Sequence, residues 1–138
     1  YIYGVPKIKH DKSCNSEFLK MKGIIYWNVY FYKFIIYLIY KRNYRRRDEI
    51  ISEQTDDLKV LDLCCGYGSL SRYIKKYRGI DFNKPFVNYA RKKGLDVSFG
   101  DIAKIDLPEE ECIILQASLY HFIPEHKNLI EKYFVKNR

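Results

Sequence analysis

Histidine, methionine and tryptophan are scarce in this chain, at 3, 1 and 1 of 138 residues. Cysteine is also sparse, and its four copies, Cys14, Cys64, Cys65 and Cys112, show no metal-ligand spacing. Adjacent Cys64 and Cys65 cannot easily bridge each other. These shortages argue against a metal centre and against a disulfide-stapled scaffold, and they fit a reduced, cytoplasmic chain. Residues 1 to 20 lack the apolar stretch of a cleavable signal. No internal repeat or low-complexity linker is present, and with 47% hydrophobic residues the chain can bury one core.

Acidic residues are short in one region only. Residues 1 to 50 hold 11 Lys or Arg against 4 Asp or Glu, whereas residues 51 to 138 are nearly balanced at 14 against 13. The basic excess is densest at Lys41-Arg42-Asn43-Tyr44-Arg45-Arg46-Arg47, directly after an aromatic run from Ile24 to Tyr40. Nucleic acid or an anionic membrane surface would suit such a patch, but a solvated helix face is the favoured reading. A spanning helix is disfavoured because the run is short and Lys33 lies at its centre. Residues 1–50 thus read as a basic, aromatic helical extension that packs on a second unit, residues 51–138.

That second unit opens on Lys59-Val60-Leu61-Asp62-Leu63-Cys64-Cys65-Gly66-Tyr67-Gly68-Ser69-Leu70. Val60, Leu61 and Leu63 read as a buried parallel strand, and Gly66 and Gly68 as a sharp turn that lets backbone approach a ligand. A second strand ends in Gly79-Ile80-Asp81, with Asp81 placed 19 residues after Asp62. An acid at that offset can accept hydrogen bonds from a ribose diol. A pyrophosphate would be repelled by Asp62, and the last glycine of a dinucleotide loop is replaced by Ser71. A ligand with an ammonium and a sulfonium suits the acid better.

On these residues the chain resembles the class I S-adenosylmethionine-dependent methyltransferases. The resemblance runs from residue 59 to about 125 through four motifs. Val60 to Gly68 resembles the first, with Cys64 where a glycine is usual, a place where φ > 0 would be strained. Gly79-Ile80-Asp81-Phe82 resembles the ribose-binding acid followed by an apolar residue against the adenine. Phe99-Gly100-Asp101-Ile102 resembles the loop whose acid faces the adenine amino group. Leu115-Gln116-Ala117-Ser118-Leu119-Tyr120-His121-Phe122 resembles the segment bordering the methyl-transfer site. The resemblance implies S-adenosyl-L-methionine as cofactor, held by Asp62, Cys64, Gly66, Gly68, Asp81, Phe82, Asp101, Ile102 and Gln116. It places His121 and Tyr120 as candidate catalytic residues, and it implies an N-terminal helix that covers the cofactor.

The expected fold is Rossmann-like α/β, a mostly parallel sheet with helices on both faces. Leu70, Tyr73, Ile74 and Tyr77 fall on one helical face and predict a helix over 69–77. Asn83 caps a predicted helix over 84–93 that Gly94 stops, with Phe86, Val87 and Ala90 inward. Strands follow at 96–99 and 112–115, then a final helix over 125–135. Seven strands are usual in the resembled fold, so the chain reads as C-terminally incomplete, truncated after the fourth. Cys112 to Leu115 would then form an apolar edge that a partner, a second copy or the final helix covers. Met21, the only methionine, raises the expectation that residues 1 to 20 precede the natural start or that the chain was trimmed.

The expected activity is in-line methyl transfer to a small molecule or another acceptor. The Asn/Asp-Pro-Pro-Tyr/Phe pattern of DNA amino-methyltransferases is absent, Gln116-Ala117-Ser118-Leu119 standing in its place. Two alternatives remain: a non-catalytic, truncated binding module that needs a partner, and a nicotinamide-dependent oxidoreductase, which Asp62 and the missing third glycine disfavour.

Overall fold

The structure, a computed structural model, describes residues 25–41, 43–106, 108, 110–116, 118, 123–124 and 126–135. Two helices, α1 (Val29–Tyr40) and α2 (Asn43–Gln54), precede strand β1 (Val60–Leu63). A short 3-10 helix (Ser69–Arg72), β2 (Tyr77–Asp81), α3 (Lys84–Lys92), β3 (Val97–Phe99) and β4 (Cys112–Leu115) follow. The last helix, α4 (His126–Ile130), continues as a wider π-type turn over Glu131–Val135.

The strands form one parallel sheet in the order β3-β2-β1-β4. The order reverses between β1 and β4, which opens a crevice at their carboxyl ends where open α/β sheets take ligands. Strand alternation sorts the core into two layers. Leu61, Leu63 and Ile80 face Ile102, Leu129 and Tyr133 on one side, with Ile113 and Leu115 packed against them. Val60 meets Leu70 and Ile74 on the other side, backed by Ile51, Cys112 and Ile114. Farther along that side, Val87 and Ala90 of α3 pack on Cys65 and Val97. Both faces are covered, as a parallel sheet requires.

Asn83 caps α3, accepting from the Phe86 amide at 3.3 Å, and Pro85 stands in its first turn. Gly94, at φ +77°, lies just past its end. Phe86, Val87 and Ala90 are all buried, as their spacing predicts. The predicted helix over 69–77 does not form. The sheet claims its second half, because the Lys76 carbonyl accepts from the Val60 amide at 2.9 Å and Tyr77 pairs with Val60 in register. Only the single 3-10 turn remains, and Leu70 and Ile74 are buried without a longer helix.

Helix α1 reaches the α/β unit through aromatic rings. Tyr32 lies 5.0 Å from the Phe86 ring, Tyr26 lies 6.0 Å from it, and Tyr30 meets Tyr89 edge-on at 5.6 Å. The Asn83 side-chain amide donates to the Tyr26 carbonyl at 3.1 Å. Helix α2 runs across position 50, with Asp48 buried and Ile51 packed beneath the sheet. Among the described residues no helix is long and apolar enough to cross a membrane.

Candidate functional site

The carboxyl end of β1 turns through three left-handed residues, Cys64 at φ +58°, Gly66 at +59° and Gly68 at +75°. At Cys64 this conformation carries a strain of about 1 kcal/mol, because its Cβ crowds the following carbonyl. The turn is fixed to the neighbouring strand by two backbone-level bonds. The Cys65 amide donates to the Ile80 carbonyl at 3.2 Å, and the Gly66 amide donates to Asp81 Oδ2 at 2.7 Å. The other carboxyl oxygen of Asp81 accepts from the Asn83 amide at 2.7 Å. One acid therefore locks the glycine turn and the start of α3 together, and each of its oxygens keeps capacity for a second donor. Burial pushes the Asp81 pKa up, while the backbone donors of Asn83, Gly66 and Phe82 pull it down.

Asp62 lies on the face of β1 opposite Leu61 and Leu63, 4% exposed. Its Oδ2 accepts from the Tyr77 hydroxyl at 2.9 Å. Burial is the main cause that raises its pKa to about 7; the nearby carboxylates of Asp48 and Asp81 add to the rise, and the Tyr77 hydrogen bond and Arg47 oppose it. Asp62 thus holds a proton near neutrality in the free chain, and a cation brought beside it would favour the charged form.

Asp48 and Tyr77 neighbour the turn and were not singled out as site residues from the sequence, and Gly79, quoted there within the second motif, was given no role of its own. Asp48 comes from α2, is 2% exposed, and takes a 3.0 Å ion pair from Arg47, whose guanidinium also stacks 4.1 Å from the Tyr44 ring centre. The Tyr44 hydroxyl shares a 3.4 Å contact with the Ser69 hydroxyl beside the glycine turn. Asp48 looked like one acid in a basic run; its helix phase, three residues before the inward Ile51, was the available signal. Gly79 has a steric role: a Cβ there would stand 2.6 Å from Cys65 Sγ and 3.1 Å from the Tyr77 hydroxyl. The missing side chain makes room for the bond between Tyr77 and Asp62.

The remaining predicted residues take varied places. Phe82 is 56% exposed at the end of β2, open to a planar partner. Asp101 turns back on its own loop, accepting from the Ala103 amide at 3.0 Å and pairing with Lys104 at 3.3 Å. Ile102 is buried in the core, and the Tyr133 hydroxyl donates to its carbonyl at 2.6 Å and to that of Ile105 at 2.9 Å. Gln116, at the end of β4, keeps a buried Nε2 with no hydrogen-bond partner among the described residues. His121 and Tyr120 lie outside the described residues. Burial pushes the Cys64 thiol up to about 12, so it is a protonated packing group, and Cys65 is raised for the same cause. Among the described residues no set of three or more His, Cys, Asp or Glu is arranged to hold a metal ion.

No family model matches the chain. Two curated relatives are trans-aconitate 2-methyltransferases. That of Mycolicibacterium gilvum is 32% identical over 79 residues, 52% of this chain and 31% of the relative. That of Mycobacterium ulcerans is 28% identical over 78 residues, 52% of this chain and 30% of the relative. The matched segment therefore spans less than a third of either relative. Among solved structures, a methyltransferase of Thermotoga maritima, described as S-adenosylmethionine-dependent and a possible histamine N-methyltransferase, superposes with a TM-score of 0.63 at 14% identity, over 80% of this chain and 54% of that one. Sheet order and these matches together show that the chain has the Rossmann-like fold of the class I S-adenosylmethionine-dependent methyltransferases and is similar to methyltransferases in sequence.

Proposed function

We propose that the protein binds S-adenosyl-L-methionine at the carboxyl ends of β1, β2 and β4 and transfers its methyl group to a small molecule, the class to which the trans-aconitate of the relatives belongs. The observation that carries this reading is the bond from the Gly66 amide to Asp81 at 2.7 Å, which brings turn and acid into one frame at the crevice. In this reading Asp81 accepts the ribose hydroxyls on its remaining lone pairs, and Phe82 covers one face of the adenine. Asp101 and Ile102 border the adenine, Ile102 through its backbone. Gly66, Gly68 and Cys64 give the methionine portion backbone contact without side-chain interference. Gln116 supplies the donor that its unpartnered Nε2 leaves free.

Bound at this site, the sulfonium supplies an electrophilic methyl group. The chain's own residues contribute alignment and exclusion of water, which for an in-line displacement is most of what catalysis asks. Asp62 faces the ammonium and becomes ionised beside it. Tyr120 and His121 stand in the segment that would border the acceptor, with His121 the candidate base where the acceptor must lose a proton. A reducing, cytoplasmic setting suits Cys64, Cys65 and Cys112, all of which carry free thiols.

Calorimetric titration with S-adenosylhomocysteine tests the reading. The wild-type chain should bind, and Asp81→Ala should weaken binding by about 1.5–3 kcal/mol, the scale of hydrogen bonds to a charged group. Equal affinity in a variant that stays folded by circular dichroism removes Asp81 from the site. The second reading, a module that binds without transfer and needs a partner, is favoured by β4, which pairs on one side only among the described residues. Binding without turnover of any acceptor would select it.

A further inference from the structure

A cavity of about 120 Å³ lies between α1, α2 and the 3-10 helix, and its charged lining residues are four cations against one acid. Lys33, Lys41, Arg45 and Arg72 line it, and Tyr67 and Ser69, on either side of Gly68, form its wall toward the glycine turn. Asp48 is the only acid in that lining, and its carboxylate is already neutralised by Arg47 at 3.0 Å. Lys33 is held in place by a 3.2 Å bond from its ammonium to the Tyr89 hydroxyl and by the faces of Tyr67 and Tyr89, 5.3 and 5.4 Å away. Lys41, Arg45 and Arg72 make no ion pair with any described residue, whereas the neighbouring Arg46 pairs with Glu49 at 3.5 Å.

We propose that this cavity is a binding site for a small multivalent oxyanion and serves as the acceptor subsite. Its position supports that use, because the wall it shares with the glycine turn sets its occupant beside the donor site. Guanidinium groups match carboxylate and phosphate oxygens two at a time, and the tyrosine-held ammonium of Lys33 adds a fixed charge. Three cations from three separate elements, the end of α1, the first turn of α2 and the 3-10 helix, converge without carboxylate partners. A monovalent ligand would leave most of that charge uncompensated. The assignment as acceptor subsite rests on the methyl-donor reading above; the anion site itself does not.

The test is calorimetric titration of the full chain, free of nucleoside, with citrate and with inorganic phosphate at low ionic strength. Either anion should bind at one site. Arg45→Gln and Arg72→Gln should each weaken binding at least tenfold, while Lys92→Gln, a cation outside the cavity, should change it less than twofold. Preference for citrate marks a polycarboxylate acceptor, and preference for phosphate marks a phosphorylated one. Absence of binding by both, or equal losses in all three variants, overturns the proposal. A separate titration with S-adenosylhomocysteine keeps the two readings apart. Anion binding without nucleoside binding retains the site and removes its role as acceptor subsite, while nucleoside binding without anion binding overturns the anion site and leaves the methyl-donor reading standing.

Discussion

The glycine turn and the paired helices α1 and α2 touch through Tyr32 on Tyr67 and Tyr44 on Ser69, and they are held by opposite means. In the turn, donors are matched to buried carboxylate oxygens: the Gly66 and Asn83 amides to the two oxygens of Asp81, and the Tyr77 hydroxyl to Asp62. In α1 and the turn before it the contacts are mainly ring against ring, and much apolar surface stays in water, with Trp27, Tyr30 and Tyr37 at 79, 70 and 67% exposure. Hydrogen bonds to buried acids tolerate little displacement, whereas aromatic contacts over 5 to 6.5 Å between centroids tolerate repacking. The turn is therefore built to hold one geometry, and the helices to supply surface.

Phe86 joins the two regions and carries the largest expected effect. It is 2% exposed and meets Tyr26, Tyr32 and Tyr67. Phe86→Ala should cost about 3–5 kcal/mol in urea unfolding, the range for an aromatic removed from a core. A cost below about 1 kcal/mol would mean that α1 closes over the gap, and that the helical pair adapts even at its joint.

A second substitution probes the turn side alone. Gly79→Ala sets a methyl group 2.6 Å from Cys65 Sγ and 3.1 Å from the Tyr77 hydroxyl, with Asp62 bonded beyond. Overpacking of this kind should lower stability by up to about 3 kcal/mol in thermal unfolding. Pairing it with Cys65→Ala should recover part of the loss, and strict additivity of the two would show that the clash is relieved elsewhere.

What the sequence made legible follows the same division. Strand β4, the inward face of α3 and the Asn83 cap form as predicted because each is decided by local spacing and by a residue type with one good use. The 3-10 turn was misread because Leu70, Tyr73, Ile74 and Tyr77 carry a helical spacing that the ladder overrides from Lys76 onward. The place of Asp81 at the end of β2 was legible from the sequence, but its partnership with Gly66 needed the strand register. For Asp48 the helix phase relative to Ile51 hints at an inward position, but its burial depends on how α2 lies under the sheet. The aromatic run of α1 is apolar on nearly every side, so periodicity cannot say which rings face inward.

Asp62 sharpens the comparison through pH. Its pKa rises on folding from an ordinary carboxylate value to about 7. Between those values the folded state binds the extra proton, so its contribution is complete at low pH and is lost as pH rises through about 7. Wild-type stability should fall between pH 5 and 7 by on the order of 2 kcal/mol from this group. Asp62→Asn should flatten that slope, with a residue left by Asp81, which is raised in the same direction. An unchanged slope would place the titration elsewhere.

The smallest effect belongs to the exposed turn just before α1. Trp27 is the chain's only tryptophan and is 79% exposed, so replacing it removes little buried area. Trp27→Ser should change the unfolding free energy by less than about 0.5 kcal/mol, the usual limit for a surface site away from caps and cores. The wild-type residue should emit at the wavelength of a hydrated indole. A blue-shifted emission together with a larger, concentration-dependent loss in Trp27→Ser would mean that a second copy of the chain covers this face. In that case the exposed aromatic surface would be as tightly specified as the turn, and the contrast between the two regions would hold only for the isolated chain.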